Sequence, residues 1–131
     1  MLDLNWLAII VSAIVFFAIG AAWFSRPLFL KPWMKAAGLS EDYASGGNQG
    51  LIFGGAFVLI LLMAVTLAWL TDPFDWAGTV LTSLAAGLGF SALSFWMLSL
   101  FERKPFAYAA INGGYLLVGF VAMGAILGAW K

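Results

Sequence analysis

Four long stretches of this 131-residue chain contain no charged residue, and each is long enough to cross a lipid bilayer. About 20 apolar residues in a helix span the hydrocarbon core of a membrane. Hydrophobic residues make up 64% of the chain, well above the share in soluble proteins. The sequence therefore predicts one all-α integral membrane domain with four transmembrane helices, at about residues 5–25, 50–70, 76–100 and 106–130.

The basic residues predict how these four spans are oriented. Five of the six Lys and Arg residues lie in the first and third loops, at Arg26, Lys31, Lys35, Arg103 and Lys104. Positively charged loops stay in the cytoplasm. We therefore expect the basic loops 26–35 and 103–104 to be cytoplasmic and both termini to lie outside. Residues 1–5 carry no positive charge, so the first span is expected to be retained and not cleaved as a signal peptide.

Tryptophan residues lie near the ends of the predicted spans. Trp side chains are enriched at both membrane–water interfaces. Six of them are expected to be interfacial anchors: Trp6, Trp69, Trp76 and Trp130 at the outer face, and Trp23 and Trp33 at the inner face. This banding agrees with the orientation that the basic loops predict.

The loops carry signals for helix starts and stops. The second and third loops are short, so the second, third and fourth spans are expected to be antiparallel neighbours in a bundle. Asp75 is expected to cap the third span, and Pro105 to lie in the first turn of the fourth. In the longer first loop, residues 31–37 predict a short interfacial helix that Gly38 stops. Residues 40–42 resemble a second cap, followed by a flexible lead at 45–48.

The chemistry available inside the membrane is restricted. The chain has no His and no Cys, and none of the four stretches contains an ionisable Asp, Glu, Lys or Arg. Nucleophilic catalysis by Ser would need a base, and transition-metal or haem sites usually need His or Cys ligands. We therefore expect no enzyme, no catalytic residue, no metal and no cofactor. The zero net charge gives no reason to expect nucleic acid.

Small residues recur at four-residue spacing on two of the spans. Ser83, Gly87 and Ser91 share one face of the third span, and Gly124 and Gly128 form a GxxxG step on the fourth. Such steps allow close approach of helix backbones. They serve either packing within the chain or self-association, and packing within the chain is the favoured interpretation. A similar step, Gly50 and Gly54, begins the second span.

A polar stripe lies on the fourth span. Tyr108, Asn112 and Tyr115 are spaced i, i+4 and i+7, which places them on one helix face. The stripe could line a polar pocket or permeation path, open towards the cytoplasm. The favoured alternative is a hydrogen bond from Asn112 to a Ser or Thr of the third span.

The two halves of the chain show a weak similarity in sequence. The first span opens with Asn5-Trp6 and the third with Asp75-Trp76, and a Lys-Pro pair follows each of these spans. A duplicated two-helix hairpin would explain this pattern. Recurrent caps and tryptophan belts are the favoured explanation, and superposing residues 5–70 on 75–130 would distinguish the two.

Several segments resemble a known family. They are NWLA at 5–8, GAAWFS at 20–25, KPWMK at 31–35, INGGY at 111–115 and MGAILGAW at 123–130. In this order they resemble a bacterial membrane family catalogued as domain of unknown function 1761. The resemblance implies four membrane helices in the bacterial inner membrane and gives weight to Trp23, Trp33, Asn112 and Tyr115. It implies no activity.

Two functions remain open at this stage. The favoured one is non-enzymatic: a small inner-membrane protein that acts through helix association, as a homo-oligomer or as an accessory subunit of a membrane complex. The alternative is a channel or carrier for a small neutral or lipid-like solute. The expected partners are the lipid bilayer and a second copy or another membrane protein.

Overall fold

The computed structural model describes residues 4–25, 28–39 and 48–130, and every regular element in them is a helix. These elements are α1 (Trp6–Trp23), α2 (Leu30–Ala37), α3 (Gln49–Thr71), α4 (Trp76–Ala85), a π-helical segment (Ala86–Ala92), α5 (Leu93–Phe101) and α6 (Phe106–Ala129). Helix α4, the π segment and α5 form one continuous helix, here called the third span (Trp76–Phe101).

Four helices are long and apolar enough to cross a membrane, as the sequence predicts: α1, α3, the third span and α6. Short α2 lies in the first loop. Two parts of the sequence-based account lie outside the described residues. They are the predicted cap and lead at 40–47 and the cations Arg26 and Lys131.

Short polar side chains cap the N-termini of three helices. The Asp75 carboxylate accepts a 2.8 Å hydrogen bond from the Gly78 N–H, as predicted for a cap of the third span. Asn5 and Asn48 do the same for α1 and α3, although the sequence had suggested only a flexible lead at Asn48. Gly38 ends α2 with φ 75°, the left-handed conformation of a glycine stop. Pro105 lies at the N-cap of α6, one residue before its first turn.

Helix α6 occupies the centre of the fold. On one side it packs against α1, and on the other it packs along the whole third span. The start of α1 lies beside the end of α6, where the Asn5 amide donates to the Trp130 carbonyl at 2.7 Å. The end of α1 lies beside the start of α6, where the Trp23 indole donates to the Ile111 carbonyl at 2.9 Å.

Helix α3 is peripheral. It packs mainly against α1, and it has far less contact with the third span than α6 has. The second and third spans, predicted to be antiparallel neighbours, therefore make little contact. The short loop joins their ends, but the two helices do not pack along their length. Helices α3 and α6, which a duplicated hairpin would make counterparts, differ in their packing: α6 contacts α1 and the whole third span, whereas α3 contacts mainly α1.

The apolar core lies between α1, α3 and α6. Its buried residues are mostly small or branched: Ala8, Ile9, Ala13, Phe16, Ile60, Ala64, Leu67, Ala68, Met123 and Leu127. Large apolar side chains cover much of the outer surface of α3 and the third span, such as Leu51 (72% exposed) and Phe90 (77% exposed). A soluble protein rarely exposes so much apolar surface, and lipid is the solvent that suits it.

Candidate functional site

The contact between α6 and the third span is built on small residues. A Cβ placed on Gly124 would overlap the Ser83 side chain, and one on Gly87 would lie 2.9 Å from the Phe120 Cβ. A Cβ on Gly128 would lie 3.1 Å from the Trp76 ring. The small residues at these positions therefore allow the two helices to approach closely within one chain.

The π segment changes which residues of the third span face α6. Its backbone hydrogen bonds join residues five positions apart, as in the bond from the Leu93 N–H to the Leu88 carbonyl. Five residues after Gly87, Ala92 meets α6: its Cβ lies 3.3 Å from a Cβ placed on Gly113. Ser91, which four-residue spacing had placed on the same face as Ser83 and Gly87, is half-buried. The sequence gives no local signal for this five-residue step.

The hydroxyl groups of the spans bond mainly to their own helices. Ser83 donates to the Thr79 carbonyl at 2.7 Å, and Ser99 donates to the Phe95 carbonyl at 2.8 Å. Thr66 makes the same kind of bond to Leu62 on α3. Ser12 differs, because its hydroxyl is fully buried in α1 and has no hydrogen-bond partner within the described part of the chain. These hydroxyls therefore do not form a continuous polar surface.

The three members of the polar stripe contact different neighbours. The Tyr108 ring lies 5.4 Å from the Phe95 ring of the third span. The Tyr115 ring lies 5.1 Å from the Phe16 ring of α1, and its hydroxyl is 3.5 Å from the Phe16 carbonyl. Asn112 donates to the Tyr108 carbonyl at 2.8 Å. This hydrogen bond of the Asn112 side chain stays within α6. The sequence had predicted a hydroxyl of the third span as its partner.

Tyr115 fits against α1 because a glycine faces it. A Cβ on Gly20 would lie 2.7 Å from the Tyr115 hydroxyl oxygen. The Phe24 ring also packs against Tyr115, at 5.4 Å. One helical turn further along α6, the Phe16 ring occupies the space where a side chain at Gly119 would lie. The α1–α6 contact is therefore an aromatic–glycine seam, and sequence reasoning had assigned no role to Gly20 or Gly119.

The tryptophans fall into two groups. Trp6, Trp69, Trp76 and Trp130 are exposed near one end of the molecule, between 41% and 59%. Trp23 and Trp33 are half-buried near the other end. Two indoles also bond to α6: Trp23 to the Ile111 carbonyl at 2.9 Å, and Trp76 to the Ala125 carbonyl at 3.2 Å. These two residues therefore fasten neighbouring helices to both ends of α6.

One basic residue links two loops. The Lys104 ammonium donates to the Ala37 carbonyl at 2.9 Å and lies 5.7 Å from the centre of the Tyr108 ring. Met34 of α2 is buried, whereas Lys31 and Lys35 on the same helix are exposed. The sequence predicts Lys104 as a determinant of orientation, and the structure adds a hydrogen bond that joins the first and third loops.

The described residues contain no group of three His, Cys, Asp or Glu side chains that could hold a metal ion. Four apolar helices of spanning length define the class: an all-helical, multi-pass membrane protein. The chain belongs to the family described as "Protein of unknown function (DUF1761)", whose model matches residues 7–128. No curated protein and no solved structure matches the chain.

Proposed function

We propose that this protein is non-enzymatic and acts in the bacterial inner membrane through helix association, as a homo-oligomer or as an accessory subunit of a membrane complex. In this proposal the four spans form an antiparallel bundle with α2 at the interface. The basic loops face the cytoplasm and both termini lie outside, in keeping with the positive-inside rule.

The open face of α3 carries the proposal. No residue from Gly50 to Leu59 is buried, although the second half of the same helix supplies much of the core. A Cβ on Gly54 or Gly55 would meet nothing within 4 Å. The small residues of α6 face other helices of the chain, whereas the Gly50–Gly54 step of α3 is exposed and can meet a neighbouring chain.

A second copy of the chain is the occupant that we favour for this face. Gly54 and Val58 lie one helical turn apart, and both are exposed. In a membrane, apolar surface alone gives no preference for protein over lipid, so close backbone approach at small residues is what favours association. The Gly50–Gly54 step offers such an approach at the end of α3 where this chain itself packs least.

The alternative function, a channel or carrier for a small neutral or lipid-like solute, has less support. The seam between α6 and the third span is closely packed at Gly87 and Gly124. The Asn112 side chain donates to the Tyr108 carbonyl of its own helix and not to a hydroxyl of the third span. A path along this seam would require the two helices to separate.

Disulfide cross-linking in native membranes tests the association. The chain has no Cys, so a single introduced Cys reports one position. We expect Val58→Cys to form a cross-linked dimer on oxidation, and Gly54→Leu in that background to abolish it. Gly54→Leu has room within its own chain, so the fold should be kept.

Leu81→Cys is the matched control, because Leu81 is similarly exposed but lies on the third span. Dimers from Val58→Cys but not from Leu81→Cys support the α3 face. No dimer from Val58→Cys, or equal dimer formation at the two positions, contradicts it.

A further inference from the structure

The basic end of the molecule presents three exposed cations on two segments. Lys31 and Lys35 lie four residues apart on α2, so they share one face of that helix. Arg103 follows α5 and is also exposed. Met34 is buried, and α2 packs against α6, so the apolar side of α2 is already covered. Within the described part of the chain, the cationic side of α2 is exposed.

Lys104 brings the two basic segments together. Its ammonium bonds to the carbonyl of Ala37, the last residue of α2, and lies against the Tyr108 ring. A cation at the carboxyl end of a helix also interacts favourably with the helix dipole. Lys104 is therefore occupied in holding α2 beside the loop that carries Arg103. Within the described residues, Lys31, Lys35 and Arg103 are exposed and face no acidic partner of their own, so they can meet an external anion.

The position of this cationic surface along the membrane normal indicates which kind of anion it would meet. Helix α1 ends at Trp23 and α2 begins at Leu30, so α2 lies close to the end of a span. Phospholipid headgroups occupy that depth, and basic residues there are attracted to anionic lipids. Glu102 is the one acid on this end within the described residues, whereas the opposite end carries Asp72 and Asp75.

We propose that Lys31, Lys35 and Arg103 form a binding site for the phosphate-bearing headgroup of an anionic phospholipid. The site is held in place by the Lys104–Ala37 bond. It is distinct from the α3 face proposed for association and does not depend on it.

Native mass spectrometry of the purified protein in neutral detergent tests this site. Phosphatidylglycerol and phosphatidylcholine with the same acyl chains are offered together. We expect phosphatidylglycerol to be retained preferentially, and the preference to fall as salt is raised. In the triple variant K31Q/K35Q/R103Q, the ratio of retained phosphatidylglycerol to phosphatidylcholine should fall about five-fold for each cation removed. Equal retention of the two lipids by the wild type would overturn the proposal.

Two further arms separate the site from general effects. The charge-conserving variant K31R/K35R/R103K should keep the preference, and it checks that loss in the first variant is not simply loss of fold. Phosphatidylglycerol should raise the Tm of the wild type more than phosphatidylcholine does, whereas inorganic phosphate should not change it. An equal rise with inorganic phosphate would assign the surface to a free anion and contradict a lipid site.

Discussion

The Lys104 ammonium donates a 2.9 Å hydrogen bond to the carbonyl of Ala37, which ends α2, across 67 residues of sequence. This bond joins the first and third loops, so the two basic segments of the chain form one surface. It also satisfies a carbonyl at a helix end, which lacks a partner within its own helix. Lys104 is thus a structural residue as well as a charged one.

Replacing Lys104 should loosen α2. Lys104→Met removes a charge-assisted hydrogen bond and a cation–ring contact, so we expect a loss of about 1–2 kcal/mol in the free energy of unfolding. Limited proteolysis should cut faster within residues 28–39. Lys31→Met removes an exposed Lys from the same surface and is the control. If the two variants are cleaved equally fast, Lys104 does not hold α2 in place.

Adding a methyl group at Gly124 should separate α6 from the third span. Gly124→Ala places a Cβ against the Ser83 side chain, and overpacking of this kind costs about 1–3 kcal/mol. Ser83→Gly in the same chain should recover part of the loss, because it removes the overlapping atoms. Thermal unfolding of both single variants and the double variant measures this coupling.

Gly89→Ala is the matched control for that series, since nothing lies within 4 Å of the added atom. Alanine favours a helix by about 1 kcal/mol over glycine, so this variant should be as stable as the wild type or more stable. Additive effects of Gly124→Ala and Ser83→Gly would contradict the contact.

Gly20 and Tyr115 should be coupled in the same way across the α1–α6 seam. Gly20→Ala brings a Cβ to 2.7 Å from the Tyr115 hydroxyl oxygen, so it should lower the Tm. Tyr115→Phe alone should have a small effect, because the 3.5 Å contact with the Phe16 carbonyl is long for a hydrogen bond. Tyr115→Phe should therefore partly rescue Gly20→Ala. A double variant as unstable as the sum of the single losses would argue against this geometry.

The π segment should tolerate the loss of one residue. Gly87 and Ala92 face α6 five residues apart, and deleting Gly89 gives the four-residue spacing of an α-helix. A Cβ at Gly89 would meet nothing within 4 Å, so no other part of the chain packs against that side of the residue. We expect the deletion to keep a Tm near that of the wild type. Deleting Leu81 from α4 should lower the Tm markedly, because it rotates the preceding turn by about 100°. Similar losses for the two deletions would contradict this account.

The local features of the fold could be predicted from the sequence. The four spans are visible as uncharged stretches, and the Asp75 cap and the Gly38 stop follow from short-range chemistry. Each of these depends on residues within a few positions of one another, so a single sequence contains the needed information.

The packing between helices could not be predicted in the same way. The central place of α6 depends on contacts such as Phe16 with Gly119, which join distant parts of the chain. Gly87 and Ala92 meet α6 five residues apart across the π segment, and no residue type in the segment predicts this spacing. The separate contacts of Tyr108 and Tyr115 likewise depend on how three helices meet, although regular spacing places them on one face.

The mass of the protein in a mild detergent or a lipid nanodisc tests the central proposal most directly. The chain has a mass of 14.1 kDa, so self-association predicts a native mass at twice that value or a higher multiple. Gly54→Leu should shift the population to the single-chain mass, and Gly89→Leu on the third span should not. A wild-type protein found only at 14.1 kDa would contradict self-association through α3.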